Sequence, residues 1–156
     1  MRRWLPIVLL CALPLLAQKY SGPRPPKPDV AYLVHADNLV ETESAEAKQE
    51  DHKGEIMYVV PGANSKARTP LSSPVFLILV DQLQADKLQL YKLESKGDQR
   101  QILYTRKKKQ VARPARLNVT RVDENLYRIE VDEILANGEY SLTPQDSNLV
   151  FCFQIY

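Results

Sequence analysis

Six basic side chains lie close together in the segment TRKKKQVARPAR, residues 105–116, which contains no acidic residue. They are Arg106, Lys107, Lys108, Lys109, Arg113 and Arg116. Each lysine or arginine near an anionic membrane contributes about 1 kcal/mol to binding. The cluster therefore predicts a weak, salt-sensitive contact with anionic lipid, polysaccharide or an acidic protein. The alternative is the exposed end of a hairpin, where lysines prevent edge-to-edge pairing of sheets. The spacing alone leaves both interpretations open.

The other reactive side chains are few. His35 and Asp37 form a His-x-Asp pair in the turn-prone sequence HADN, but a metal site needs three or four converging ligands. This favours an ordinary exposed turn histidine. Cys152 lies in the apolar segment LVFCFQIY and is predicted to be a small, buried hydrophobic residue. A disulfide to a second chain is the alternative, because a catalytic thiol would need a histidine partner and none is obvious.

The acidic stretch ETESAEAKQEDHK, residues 41–53, lacks the D-x-D-x-D-G spacing of a calcium loop. We expect it to be a strand that continues into a polar, solvated loop. No glycine-rich phosphate loop, G-x-S-x-G motif or recognisable carboxylate pair is present. The sequence therefore predicts no catalytic, cofactor-binding or metal-binding residues, and a protein that is not an enzyme.

The N-terminus has the order of features found in secretory signal peptides. Two arginines are followed by an apolar run of about 13 residues from Trp4 to Leu16, and then by Ala17. A membrane-spanning helix needs roughly 20 residues. A retained anchor, or lipidation at Cys11, is the alternative. We predict a signal peptide over residues 1–17, export to the periplasm or the extracellular space, and no transmembrane span after cleavage.

Cleavage of this segment changes the charge balance. Removing its two arginines from the 21 basic residues leaves 19, which equals the 19 acidic residues. Nucleic-acid binders are usually basic overall, so nucleic acid is not expected as a partner. Residues 18–29 are rich in proline and predict an extended tether that leads to a single domain over residues 30–156.

The domain is a succession of short strand patterns separated by turn signals. Hairpins are predicted around HADN and SKGD, and the unbroken apolar segment PVFLILV predicts a central strand covered on both faces. LYRIEV alternates, with Tyr127, Ile129 and Val131 on one side, and LVFCFQIY alternates in the same way. Since no sustained helical period is found, the pattern predicts an all-β, immunoglobulin-like β-sandwich of about seven to nine short strands.

Four segments, PGANSKARTP, PVFLILV, NGEYSL and VFCFQIY, together resemble a group of uncharacterised secreted bacterial proteins that is frequent in acidobacteria-like genomes. Those proteins share a G-x-x-S-x-x-R-T-P segment, a G-E-Y turn and a V-F-x-F strand. The matching residues are Gly62, Ser65, Arg68, Thr69, Pro70, Gly138, Glu139, Tyr140, Phe151 and Phe153. The resemblance implies an immunoglobulin-like sandwich in the bacterial envelope or outside the cell, and it brings no catalytic residues.

Two of the matched positions have a direct physical interpretation. Gly138 suits a turn that requires a positive φ. Tyr140 suits a corner tyrosine, whose ring packs in the core while its hydroxyl binds nearby backbone.

These observations predict a non-catalytic secreted or cell-envelope module that binds a protein partner or an anionic surface through residues 106–116. The first alternative is a structural accessory subunit that assembles through exposed sheet edges. The second is a hydrolase whose site has no recognised motif.

Overall fold

A computed structural model describes residues 19–104 and 112–156, apart from the side chains of His52 and Tyr104. The predicted signal peptide, residues 1–17, lies outside this part of the chain. The described residues form an all-β fold, as predicted, with one turn of 3-10 helix at Ala85–Lys87. Its strands are β1 (Ala31–His35), β2 (Asn38–Glu41), β3 (Glu43–Glu46), β4 (Lys48–His52), β5 (Glu55–Pro61), β6 (Arg68–Thr69), β7 (Val75–Leu79), β8 (Leu88–Lys96), β9 (Gln99–Tyr104), β10 (Leu117–Asp123), β11 (Leu126–Val131), β12 (Gly138–Pro144) and β13 (Leu149–Ile155).

The first sheet has five antiparallel strands in the order β10-β11-β7-β1-β2. β7 is the central strand, as its unbroken apolar sequence predicted, and Phe76, Leu77 and Ile78 are all buried. β1 and β2 form the hairpin predicted around HADN, with Tyr32 opposite Glu41. The pattern of apolar residues therefore located this sheet correctly.

The second sheet closes on itself, and we call it the ring. Its order is β3-β13-β12-β8-β9-β5-β4, with β6 added in parallel beside β13. β3 and β4 stand at opposite ends of this order, yet only Ala47 separates them in the chain. One bent segment therefore pairs with β13 at one end and with β5 at the other. β8 and β9 pair only beside their turn, and further along β8, Ala115 lies opposite Leu90.

The first sheet packs on the outer face of the ring around one apolar core, the intersheet core. Its larger members are Leu33, Phe76, Ile78, Leu88, Leu90, Ile129, Leu135, Tyr140, Leu142, Phe151, Phe153 and Ile155, and Val131 and three alanines complete it. The ring of Phe153 contacts Phe76 edge to face, with 5.1 Å between centroids, and stacks on Tyr140 at 5.7 Å. Since these residues alternate along β12 and β13, the intervening side chains point into the ring.

The proline-rich segment lies against the first sheet and is not held away from the domain. Pro25 is buried, and Lys27 pairs with Glu41 at 2.9 Å. The carboxylate of Asp29 accepts three backbone N–H groups from residues 81–83. Burial alone would raise the pKa of Asp29, but these donors outweigh it and the pKa is lowered. The predicted tether therefore follows an ordered path along the sheet.

The acidic stretch at residues 41–53 corrects one sequence prediction. It was expected to become a polar loop, yet β3 and β4 occupy most of it. The side chains of this segment that face the ring interior are Glu43, Ala45, Ala47 and Gln49, two of them small and two polar, so they give no apolar stripe. The described residues contain thirteen strands, more than the seven to nine predicted, because several strands are short pieces of one bent chain.

Candidate functional site: the interior of the ring

The base of the ring holds a group of side chains that we call the base cluster: the buried Ser65, Arg100 and Glu139 and the partly buried Glu43. Arg100 is fully buried, and its Nη2 donates to Glu43 Oε1 at 2.7 Å while its Nη1 donates to Ser65 Oγ. The Ser65 hydroxyl donates to Glu139 Oε2, which also accepts the Ser65 backbone N–H at 3.1 Å. A chain of hydrogen bonds thus links one guanidinium to two carboxylates.

The turn that follows β5 supplies the remaining partners of Arg100. The Nε group donates to the Gly62 carbonyl at 2.8 Å, and Nη2 donates to the Pro61 carbonyl at 2.9 Å. Gly62 has a φ of +88°, a left-handed conformation that glycine adopts without steric cost. The planar guanidinium is therefore held on several sides, which fixes the turn across the base of the ring.

The base cluster contains one more acidic than basic side chain. Arg100 Nη1 lies 3.7 Å from Glu139 Oε2. Glu139 Oε1 is buried and has no hydrogen-bond partner among the described residues. Buried ion pairs gain little net stability, but removing one partner leaves an uncompensated charge and is strongly destabilising. The cluster therefore constrains how the ring closes.

Cys152 lies next to this cluster on β13, where it is opposite Ser141 and Glu43. Burial raises the pKa of its thiol to about 12, with a smaller lowering influence from Arg100. The thiolate is the reactive form of cysteine, so this side chain is a buried hydrophobic residue, as predicted. It is a free thiol.

Beyond the base cluster the ring contains an open cavity of about 490 Å³. Its walls include the side chains of Gln49, Tyr58, Gln89, Tyr91, Leu93 and Val150. The turn between β12 and β13, residues 144–148, also lines the cavity. The base cluster thus closes one end of the interior, and the other end is open.

The strand register orders the lining from base to mouth. On β8, Leu93 lies opposite Glu139 of the base cluster, while Gln89 is paired beside the β12–β13 turn. Tyr91 lies between them, and its hydroxyl donates to Gln89 Oε1 at 3.0 Å. From base to mouth, the side chains that line the interior are first ionic, then apolar and aromatic, and finally amides and hydroxyls.

The basic segment singled out from the sequence is only partly described. Residues 106–109, which include all three of its lysines, lie outside the described residues. Arg113 and Arg116 are exposed, and Arg116 Nη2 donates to the Asp132 carbonyl at 3.1 Å. The expected contact with an anionic partner stays a prediction.

The other candidates from the sequence lie away from the cavity. His35 is partly buried, with Nε2 at 2.9 Å from Thr69 Oγ1, whereas an exposed histidine was expected; Asp37 is exposed. Within residues 19–104 and 112–156, no group of three histidine, cysteine or acidic side chains is placed to hold a metal ion. No helix in those ranges is long and apolar enough to cross a membrane.

The residues that carry the resemblance have structural roles. Ser65 and Glu139 belong to the base cluster. The Tyr140 hydroxyl donates to the Ala136 carbonyl at 2.7 Å, which is the corner-tyrosine bond predicted. Gly138 has the positive φ predicted for it, +148°, but it is the first residue of β12 and not part of a tight turn.

No protein-family model matches the chain, and neither does any curated protein or solved structure. The candidate site is therefore defined by the geometry of the ring.

Sequence reasoning missed Arg100, Tyr58 and Tyr91. In QRQILY, Arg100 is in phase with Ile102, and in EIMYVV, Tyr58 is in phase with Val60. The alternation of period two could have placed each of them on an inward strand face. It could not show that these faces meet around one cavity.

Proposed function

We propose that this chain is an exported, non-catalytic binding module whose ligand occupies the cavity of the ring. The observation that carries the proposal is the cavity itself. Its volume of about 490 Å³ falls within the roughly 300–1,000 Å³ of small-molecule sites, which combine apolar walls with a few polar groups. The signal-peptide features of residues 1–17 support export.

A cavity-filling variant tests this proposal. Val150 is buried and lines the cavity, so Val150→Phe places a phenyl group in the open space. Wild type and variant are incubated with a small-molecule extract of bacterial envelopes, recovered by filtration and compared by mass spectrometry. We expect the wild type to retain a compound that the variant does not. Equal recovery by two folded proteins, checked by circular dichroism, would contradict the proposal.

A second mode of binding is proposed for the basic segment. In it the cationic side chains contact a protein partner or an anionic surface of the envelope. The support is the charge of the segment and the exposure of Arg113. Such a contact weakens steeply with salt, because screened charges and released counterions dominate it.

Assembly through sheet edges is the alternative function that an observation favours. β2 and β10 are the end strands of the five-stranded sheet, and seven-residue β10 is long enough to pair with a strand of another chain.

We also propose that the two sheets around the intersheet core represent an immunoglobulin-like arrangement. The corner-tyrosine bond of Tyr140 supports this relation.

A further inference from the structure

The lining of the cavity indicates the chemical class of its ligand. We propose that the ring binds an uncharged carbohydrate, such as a neutral oligosaccharide or the end of a glycan. This inference rests on the proposed function of the cavity as a binding site, and it names the ligand class. Three features of the lining carry it: its charge, its hydrogen-bonding groups and its aromatic side chains.

Charge favours a neutral ligand. Among the described residues that line the cavity there is no lysine or arginine, and the single carboxylate is that of Asp146 in the turn at the mouth. An anionic ligand would therefore lack the charge-assisted donors that such ligands require. Arg100 does not supply them, since it already donates to the base cluster and to the turn that follows β5.

The hydrogen-bonding groups match sugar hydroxyls. Gln49, Gln89 and Asn148 carry amides, each of which has both donors and an acceptor, and Ser147 has a hydroxyl. A sugar hydroxyl likewise donates and accepts. An acyl chain in the same place would offer these groups no hydrogen bond and would exclude water from those that lack a protein partner, at a cost for each. The mouth of the cavity is thus suited to a polyol and poorly suited to a lipid tail.

The aromatic side chains provide a surface for the apolar face of a sugar ring. Tyr58 on β5 and Tyr91 on β8 both line the cavity and are partly buried. The bond from Tyr91 Oη to Gln89 Oε1 holds an aromatic face and an amide in a fixed relation. A pyranose presents C–H groups on its faces and hydroxyls at its edge, which fits this pairing of aromatic and amide groups.

The test uses protein purified after expression of the complete sequence. Binding is measured first on an array of neutral and acidic glycans. The best neutral glycan is then titrated by NMR, with palmitate and inorganic phosphate as comparison ligands. We expect saturable binding of a neutral glycan and loss of binding in Val150→Phe. Tyr91→Ala should weaken binding roughly threefold to tenfold, the effect of one lost aromatic contact.

Matched variants separate the site from general effects. Lys92→Ala changes the neighbouring, exposed residue of β8 and should leave binding unchanged. Gln49 is likewise exposed but, unlike Lys92, it borders the cavity. Gln49→Ala should therefore weaken binding, and it replaces Tyr91→Ala as the test variant if Tyr91→Ala does not fold.

Three results would overturn the carbohydrate inference. One is the absence of binding to every neutral glycan, and another is equal glycan binding by wild type and Val150→Phe. The third is binding of palmitate or phosphate that Val150→Phe abolishes, without glycan binding. This third result leaves the cavity as a binding site, whereas equal recovery of envelope compounds by the two proteins would remove the proposed function itself.

Discussion

The two faces of β8, β12 and β13 meet different environments. One face joins the first sheet in the intersheet core, where the side chains are aromatic and aliphatic and the packing is tight. The other face lines the ring, which holds a charged base and an open cavity. On β12 the adjacent residues Ser141 and Leu142 fall on opposite sides of this division.

This difference shows that one sheet can present two distinct surfaces, one packed and one facing a cavity. Burial of apolar area in the intersheet core supplies most of the driving force for folding. The opposite faces of the same strands surround the base cluster and an open cavity. The tightly buried core and the open cavity therefore fall to alternate residues of the same strands, and substitutions on the two faces should differ in predictable ways.

The largest effect is expected when the base cluster loses its cation. Arg100→Met leaves the buried Glu139 and the partly buried Glu43 without a positive partner, and we expect a loss of about 3–5 kcal/mol of unfolding free energy. Urea unfolding followed by circular dichroism measures it. Adding Glu43→Gln and Glu139→Gln to this variant should recover part of the loss. The control Arg116→Met, at an exposed position, should change stability by less than about 0.5 kcal/mol. A similar small effect for Arg100→Met would mean that the cluster does not hold the ring closed.

A pair of leucine substitutions compares the two faces directly. Leu142→Ala removes a fully buried side chain from the intersheet core, and a loss of about 4 kcal/mol is expected from lost burial and the void that remains. Leu93→Ala borders an existing cavity, so fewer contacts are lost and about 2 kcal/mol is expected. Thermal and urea unfolding provide both values. Equal losses would show that the ring interior is as tightly packed as the intersheet core.

The thiol of Cys152 should make stability depend on pH. Its pKa is about 12 in the folded protein against an ordinary value of 9.0, so the folded state keeps the proton that the unfolded state releases. The contribution of the protonated thiol to the unfolding free energy is therefore complete below pH 9 and is lost as the pH rises toward 12. The unfolding free energies of wild type and Cys152→Ala are measured across this pH range, and their difference removes the contribution of tyrosine titration, which the two proteins share. Rapid labelling of the native thiol at pH 9 would contradict its burial.

The smallest effect on stability is expected in the basic segment. Replacing Lys107, Lys108 and Lys109 by Glu should change the unfolding free energy by less than about 0.5 kcal/mol. The same change should abolish binding to vesicles that contain anionic lipid, measured by co-sedimentation at low and high salt. A control replaces three exposed lysines elsewhere by Glu, namely Lys48, Lys87 and Lys96. Equal binding by wild type and the segment variant would exclude the segment as the contact surface.

The sequence by itself determined the strands of the intersheet core. Alternation placed Tyr127, Ile129 and Val131 on one face, and the turn signals HADN and SKGD located two hairpins. It also marked Tyr140 as a corner residue. These features are local, because a period of two and a tight turn depend on neighbouring residues alone.

Only the tertiary structure decided that the second sheet closes into a ring. Ala47 carries one bent segment to both ends of the sheet, and the base cluster joins Glu43, Ser65, Arg100 and Glu139 from distant parts of the chain. The inward residues of that segment are either small or polar, and the charged residues of the base cluster resemble solvated ones when each is considered alone. Their burial is stable because each finds its partner through pairing over long sequence separations, which the local pattern does not encode.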